Sequence, residues 1–401
     1  MIDRLRQILT EYFTRAIAGW DQFWFTPQWP HLLAILRIGC GLMLLYSHLI
    51  WAADLSGFMG PDAWIGPELS GRLHDGTFGY NDAGFSYLWW VESSSLLWLH
   101  HTLVILVTLA MTVGFATRIT VPLAWFFQIM IIHRMTGMLF GLDQIVTYMT
   151  MYLALAPCGS IFSVDAWLRG RLAERRGDSG AIAWLLPGTQ PSVAAGVATR
   201  LLQIHLCVIY LFGGLAKARG ETWWDGTAVY YALVSYEYQS FDLTWIVNWP
   251  RLFSFLSLLT LFWEIFYVAL VWPRVTRPIV LGMAMMVHGG IALFLGMMTF
   301  GSMMMLANLI FVPPPLIARL LGSGDAVVGS TPESRESDLE TKIADYERRK
   351  ARLRSKEALY RERVDRLKRR EQKIKDLVDR KKKLDNESDD QLGNESDLDL
   401  G

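Results

Sequence analysis

Apolar residues along this chain come in blocks of about twenty, separated by short polar or aromatic turns, and that regime is bracketed by two different patterns at the ends. The blocks at 31–52, 97–117, 121–141, 143–160, 198–217, 252–272, 278–297 and 299–316 each approach the length of a hydrocarbon-crossing helix. The block at 143–160 is short and reads as tilted or partly re-entrant. Before them, Ile2, Leu5, Ile8, Leu9, Tyr12, Phe13 and Ile17 fall on one helical face, with Arg4, Arg6, Glu11 and Arg15 largely elsewhere. This is an amphipathic helix, lying in the membrane interface or docked on a soluble surface. Trp20, Phe23, Trp24, Phe25 and Trp29 follow as an aromatic anchor suited to headgroup depth. After the blocks, Leu339, Tyr346, Leu353, Tyr360, Leu367 and Ile374 recur at heptad spacing. Ile343, Val364 and Val378 share the second seam position with Lys350, Glu357 and Glu371. A parallel dimeric coiled coil and a solvated single helix held by Glu–Lys and Glu–Arg pairs both fit. The pattern therefore predicts an all-α, polytopic integral membrane bundle of about eight spans. Its divisions are 1–30 (interfacial helix and anchor), 31–316 (membrane body), 317–335 (linker), 336–384 (charged helix or coiled coil) and an acidic, disordered 385–401.

Composition changes the picture only once it is divided. The chain is 52% hydrophobic with a formal net charge of +0, but about half of its charged residues are concentrated after about residue 333, so a membrane body and a polar tail are being averaged. Before the charged tail, Arg4, Arg6, Arg15, Arg118, Arg169, Arg171, Arg175, Arg176, Arg274, Arg277 and Arg319 fall on one predicted side and mainly Arg72 and Arg219 on the other. The positive-inside rule then places both termini in the cytoplasm of an inner or plasma membrane. No basic start with a short apolar core and a cleavage site marks a signal peptide. Cys40, Cys158 and Cys207 sit in or beside apolar blocks, as small hydrophobes rather than a disulfide or zinc framework. On the outside, 53–96 reads as a cap over the bundle, and 218–250, with Trp223, Trp224, Tyr230, Tyr231, Tyr236, Tyr238 and Trp245, as an aromatic vestibule. The Gly/Ala/Ser-rich inside loop 161–197 reads as mobile. Membrane lipid is the expected surrounding partner, with a homodimer or protein partner through 336–384 and no nucleic acid.

The candidate chemistry lies in ionisable residues within the blocks: Arg37, His133, Arg134, Asp143, His205, Lys217, Glu264 and His288. Each costs at least about 2–3 kcal/mol in hydrocarbon, so each faces protein, water or a partner. Arg37 reads as a structural partner of Glu264 or Asp143. His133 and Arg134 mark a polar seam. His205 either binds a ligand or hydrogen-bonds across helices, and Glu264 and His288 form either an orienting cluster or a satisfied pair. Lys217 ends an apolar helix just before a tryptophan-rich turn; it serves as a base if its amine is desolvated and is inert if it snorkels. His100-His101 lack a third nearby metal ligand. No metal is expected, and no Walker, GxGxxG, GxSxG or HExxH motif is present.

The stretch Tyr210-Leu-Phe-Gly-Gly-Leu-Ala-Lys217, followed by Trp223-Trp224-Asp225-Gly226-Thr227-Ala228, resembles the signature of the vitamin K-dependent gamma-carboxylase-like proteins, also called the HTTM (horizontally transferred transmembrane) domain. Leu36-Arg37-Ile38, Gly60-Pro61-Asp62, Gly141-Leu142-Asp143-Gln144, Glu264, and His288 with Leu293-Phe294 and Phe300 continue the resemblance over roughly 25–315. It implies an enzyme that uses reduced vitamin K or a related menaquinol-type lipid quinol. Lys217 would deprotonate the quinol, oxygen would add to give the epoxide and a strong base, and proton abstraction and carboxylation of a substrate would follow. His288 matches the family's histidine on a late helix. Trp223, Trp224, Arg37, Glu264 and His205 would bind the quinol or lipid. The charged tail stands where the animal carboxylase has a large lumenal substrate-binding region, so the substrate is left open. The alternative is a non-catalytic lipid-binding or partner-anchoring protein acting through its tail.

Overall fold

The computed structural model describes residues 2–79, 83–176, 185–313 and, with interruptions, 316–320 and 343–378. The chain divides into two compact units, Met1–Val327 and Val328–Gly401, a boundary that falls inside the expected linker. Among the described residues the fold is helical, with no strand; an isolated bridge joins Gln28 to Ser192.

The first unit is built from α1 (Ile2–Phe25), α2 (His31–Ala53), α3 (Leu55–Met59), α4 (Pro67–Arg72), α5 (Ser94–Val113), α6 (Thr117–Arg134), α7 (Gly141–Ala154), α8 (Val164–Arg176), α9 (Val193–Lys217), α10 (Glu221–Trp224), α11 (Ala228–Val234), α12 (Pro250–Leu270), α13 (Arg277–Phe294) and α14 (Met298–Asn308). Five of them, α2, α5, α9, α12 and α13, are long and apolar enough to cross a membrane. Their outward residues are apolar and exposed, among them Leu42 and Leu49 on α2, Leu99 and Leu106 on α5, Phe255 and Phe266 on α12, and Ile279 and Leu293 on α13. Such a belt fits a hydrocarbon solvent. Helices occupy the other three predicted blocks as well, with changed lengths. α6 carries Pro122 within it. α7 stops at Ala154, three residues before Pro157, and α14 runs only to Asn308 before a 3-10 turn, Leu309–Phe311, and Pro313. Proline cannot extend a helix, so the expected 143–160 and 299–316 are cut short.

α2 packs against α5, α7 and α14; α9 packs against α12, α7 and α1; and α13 joins α12 to α14. Leu33, Leu36, Cys40 and Leu44 form the buried stripe of α2, one residue per turn. The closest helix approach that bears on chemistry is α9 on α12. A Cβ added at Gly214 would lie 2.8 Å from Ile265 Cγ1 and 2.9 Å from the Ile265 backbone nitrogen. Only glycine lets the two backbones meet there. On α1, Leu9, Tyr12, Phe13, Ile17 and Trp20 are exposed, while its C-terminal end is held by Arg200, whose Nε donates to the Phe23 carbonyl (3.0 Å) and whose guanidinium lies 4.6 Å from the Phe23 ring centroid.

Several polar expectations resolve into joints between helix ends. Arg37, fully buried, does not seek Glu264 or Asp143; it donates to the carbonyls of Met111 (3.0 Å) in the last turn of α5 and Phe162 (2.6 Å). Carbonyls at a helix C-terminus carry partial negative charge and a spare lone pair, so they can hold a cation without a second charge to bury. Asp143 instead turns back to accept from the Phe140 amide (3.0 Å) and start α7. Arg134, also fully buried, donates to the carbonyls of Met59, Gly60 and Ile65, and Ser70 Oγ donates to the Arg134 carbonyl (2.9 Å). The expected seam at His133-Arg134 is thus the clasp that holds the 53–96 segment onto the end of α6. The inside loop expected to be mobile contains α8. Asp165 fixes its start by accepting from the amides of Ala116 (2.7 Å) and Thr117 (2.8 Å) at the beginning of α6; residues 177–184 lie outside the described residues. Cys40, Cys158 and Cys207 are free and buried.

In the second unit, residues 357–378 form a continuous helix. Pairs at i,i+4 spacing join Glu357 to Arg361 (3.1 Å), Glu362 to Arg366 (2.5 Å) and Glu371 to Lys375 (3.3 Å). These local pairs support a helix that buries little of its own surface. Leu339, Leu353, the linker beyond Leu320 and the 385–401 tail lie outside the described residues.

The α9–α12 contact makes a pair of contrasting substitutions informative. Gly214→Ala forces the backbones apart and lowers stability by about 1–3 kcal/mol. Gly213→Ala, whose Cβ would stand 3.4 Å from Glu264 Oε2 and 3.9 Å from Lys217 Nζ, is tolerated. Thermal unfolding in detergent checks the order; equal transition temperatures would contradict the close approach.

Candidate functional site

The C-terminal end of α9 delivers Lys217 to the edge of the apolar bundle, and α12 delivers Glu264 beside it. Lys217 Nζ lies 2.7 Å from Glu264 Oε2, with side-chain exposures of 30% and 8%. Glu264 is therefore an interior carboxylate whose charge is met by one ammonium at the rim. Isolated in apolar surroundings it would be held only at a cost of several kcal/mol, and the pair offsets part of that cost. Trp223 covers the ammonium from the other side, its ring centroid 5.5 Å from Lys217 Nζ.

The Trp-Trp-Asp-Gly-Thr segment builds the turn that puts this lid in place. Trp224 donates its indole N–H to the Ala218 carbonyl just past the end of α9 (2.8 Å). Asp225 Oδ1 accepts from the Thr227 amide (2.9 Å) and hydroxyl (2.6 Å), an Asx turn. Gly226 follows at φ +81° with a would-be Cβ only 2.6 Å from Ser254, so both its backbone angle and its closeness to α12 require glycine. Ser257 Oγ accepts from the Val229 amide (3.1 Å) and lies within donating distance of the carbonyls of Phe253 (2.8 Å) and Gly226 (3.1 Å). Three of the motif's residues thus shape the loop, and two tryptophans bracket the lysine and the helix end.

Deeper along the same faces lies a polar chain that sequence reasoning did not assemble. Tyr210 stands seven residues before Lys217, about 10 Å along α9. Its hydroxyl lies 2.8 Å from His288 Nε2 on α13 and 2.8 Å from Asn308 Nδ2 at the end of α14. Tyr267, one turn beyond Glu264, donates to Asn308 Oδ1 (2.7 Å) and stacks on Tyr210 at 4.0 Å between centroids. The Met304 carbonyl, 2.8 Å from Asn308 Nδ2, fixes the amide orientation because a carbonyl only accepts. The direction then follows: Tyr267 donates to Asn308, Asn308 to Tyr210, and Tyr210 to His288 Nε2. The proton of a neutral His288 is left on Nδ1, which is buried and has no protein partner among the described residues. His288 sits against Phe300 (6.0 Å) and Trp263 (6.4 Å). Glu264 and His288 do not pair with each other; each has its own partner. Tyr210 was the member with a readable signal, since it shares a helical face with Lys217.

No known protein family, curated protein or solved structure matches this chain.

The remaining expected site residues lie elsewhere. Arg37 is about 9 Å from the start of α2 and Lys217 about 36 Å from the start of α9, and the Gln28–Ser192 bridge sets those two starts side by side. Arg37 is thus at the opposite end of the bundle from Lys217. His205 is about 18 Å back along α9 from Lys217. It bonds through Nδ1 to Tyr152 Oη (2.8 Å), packs on Tyr148 at 4.4 Å, and lines a narrow open groove with Met149, Leu206, Ile209 and Ile310. The site set therefore separates into a rim pair, an inner chain and a mid-depth groove, with Arg37 in none of them. His100 and His101 diverge, His100 to Tyr87 Oη (2.5 Å) and His101 to the His48 carbonyl (2.9 Å).

A double-mutant cycle reads the rim pair directly. Glu264→Leu and Lys217→Met each lower stability, the lysine change by the larger amount because it leaves the interior carboxylate alone. The double variant recovers about 1–3 kcal/mol relative to the sum of the singles. Additive unfolding temperatures would show that the two groups do not sense one another.

Proposed function

We propose that this protein is a membrane enzyme that uses Lys217 as the base for a hydroxyl of a lipid quinol, reduced vitamin K or a menaquinol-type lipid, and couples the quinol's epoxidation by dioxygen to proton abstraction from a substrate and its carboxylation by carbon dioxide. The reading also takes the chain as an inner- or plasma-membrane protein of about eight spans with both termini cytoplasmic, the arrangement favoured by the arginine distribution. Its family, on this reading, is the vitamin K-dependent gamma-carboxylase-like group whose motif the 210–228 segment resembles. The observation that carries the proposal is the Lys217–Glu264 contact of 2.7 Å under Trp223.

Two features fit a bound ring with oxygen substituents. The unpartnered His288 Nδ1–H is a buried donor, and Trp223 and Trp224 supply aromatic surface at the rim. A bound quinol would supply an acidic hydroxyl and the electrons that reduce dioxygen. The chain's own part is proton handling. Glu264 takes the ammonium proton across the short bond, which leaves Lys217 as a free amine under Trp223, and the neutral acid–amine state places no isolated charge in the apolar interior. Lys217 then accepts the hydroxyl proton. Tyr210, held by Asn308 and Tyr267, keeps His288 in one tautomer, so that its donor is oriented before any ligand arrives.

A second reading has its own observation. The groove lies at His205, lined by Tyr148, Tyr152 and apolar side chains, at mid-depth rather than at Lys217. This favours a non-catalytic lipid-binding protein in which the Lys217–Glu264 pair clamps α9 to α12.

Oxygen-dependent quinol epoxidation in detergent-solubilised membranes separates the two. Lys217→Ala lowers turnover by about 100-fold or more while the variant still elutes as a monodisperse peak. Turnover unchanged by the substitution, or no turnover in the wild-type protein with vitamin K hydroquinone or menaquinol, would leave only the lipid-binding reading.

A further inference from the structure

The helix at 357–378 carries an apolar stripe that nothing in its own unit covers among the described residues. Tyr360, Leu367 and Ile374 recur every seven residues, Val364 and Val378 complete the seam, and Leu367 and Ile374 are 60% and 61% exposed. A stripe of this spacing is a surface for another helix. What borders it decides which helix. Arg361, Lys368 and Lys375 follow the Tyr360–Leu367–Ile374 positions, and Arg363 and Arg370 precede Val364 and Glu371. Five of the flanking residues beside the seam are therefore cations, and Leu377 is the exception.

Two copies of this helix cannot use such a seam well. In a parallel pair each flank faces the opposite flank of its partner, and in an antiparallel pair each faces its own kind. Either arrangement sets cation against cation. A parallel pair would also place Glu371 opposite Glu371 within the seam. A membrane surface is disfavoured by the same residue: Glu371 lies in the middle of the stripe, between Leu367, Ile374 and Val378 on the helical wheel, where a carboxylate opposes burial in acyl chains. The pairs Glu357–Arg361 and Glu371–Lys375 neutralise charge within the helix, while Arg363, Lys368 and Arg370 belong to none of the i,i+4 pairs described above.

We propose that residues 357–378 form a heteromeric coiled coil with a different protein, through a partner helix that has acidic residues at both flanks of its seam and a basic residue opposite Glu371. The partner relieves the like-charge flanks and the buried glutamate together, so charge sets both attraction and the exclusion of self-pairing.

The test uses the full-length protein in detergent and two fluorescent synthetic helices with the same Leu/Val seam. One has glutamate at both flanks and lysine opposite Glu371; the other has lysine flanks and glutamate opposite Glu371. Fluorescence anisotropy at roughly 0.1 M salt is expected to give at least tenfold tighter binding of the acidic helix, with the preference falling at roughly 1 M salt. The triple variant Arg363→Glu, Lys368→Glu, Arg370→Glu reverses the preference while its membrane unit unfolds at the wild-type temperature. Equal binding of the two helices, or binding of neither, overturns the proposal. So does a dimer by light scattering that deletion of 357–378 converts to a monomer. Loss of acidic-helix binding on reconstitution into phosphatidylglycerol vesicles also overturns it, in favour of the lipid surface.

Discussion

A carboxylate in the interior of an apolar bundle must find partners where it stands; Asp143 and Asp165 take backbone amides, and Glu264 takes an ammonium. Its partner, Lys217, is at the last residue of α9, so the ion pair is also a statement about where two helices cross. Gly214 makes the crossing close enough, and the Asp225–Gly226–Thr227 turn brings Trp223 back over the ammonium. One electrostatic requirement thus accounts for a glycine, an Asx turn and a tryptophan that would otherwise be separate details. It also separates α9's rim end from its middle, where His205 and Tyr152 meet at a groove with a different character.

The other buried cations are satisfied by backbone. Arg37 and Arg134 each take carbonyl oxygens, from a helix end in one case and from a capping loop in the other. Such contacts have no carboxylate to exchange a proton with, and they hold loops to helices. The Lys217–Glu264 pair differs because both members can carry or release the same proton, and because an oriented hydrogen-bond chain from Tyr267 to His288 lies one to two turns deeper on the same helical faces. That contrast is the physical ground for proposing chemistry at the rim pair, while the arginines hold loops to helices.

The helical fold was legible in the sequence to the extent that solvent dictates it. Apolar blocks of membrane length mark where helices form, because lipid leaves no other way to satisfy a spanning backbone. Their ends were less legible: Pro157 and Pro313 shorten two blocks that hydropathy alone extends, and α8 arose in a stretch whose composition resembles a loop. Within the site, Lys217 and Trp223 could be read from their local motif. Glu264 could be named but not paired, since no sequence periodicity says which acid on one helix meets which amine on another. Arg37 was assigned to an acid because carbonyl partners leave no mark on the side-chain pattern. Tyr210 was overlooked within the motif itself, although its spacing from Lys217 placed both on one face, and Asn308 carried no signal beyond being an amide in an apolar block.

The most direct measurement of the central interaction is an infrared difference spectrum between the wild-type protein and Glu264→Gln in detergent at neutral pH. An ion pair between Glu264 and Lys217 predicts that the resting wild-type protein contributes no protonated-carboxyl stretch that disappears on substitution. A clear band of that kind, lost in Glu264→Gln, would mean that Glu264 is neutral at rest, and the ammonium–carboxylate pair on which this account is built would be contradicted.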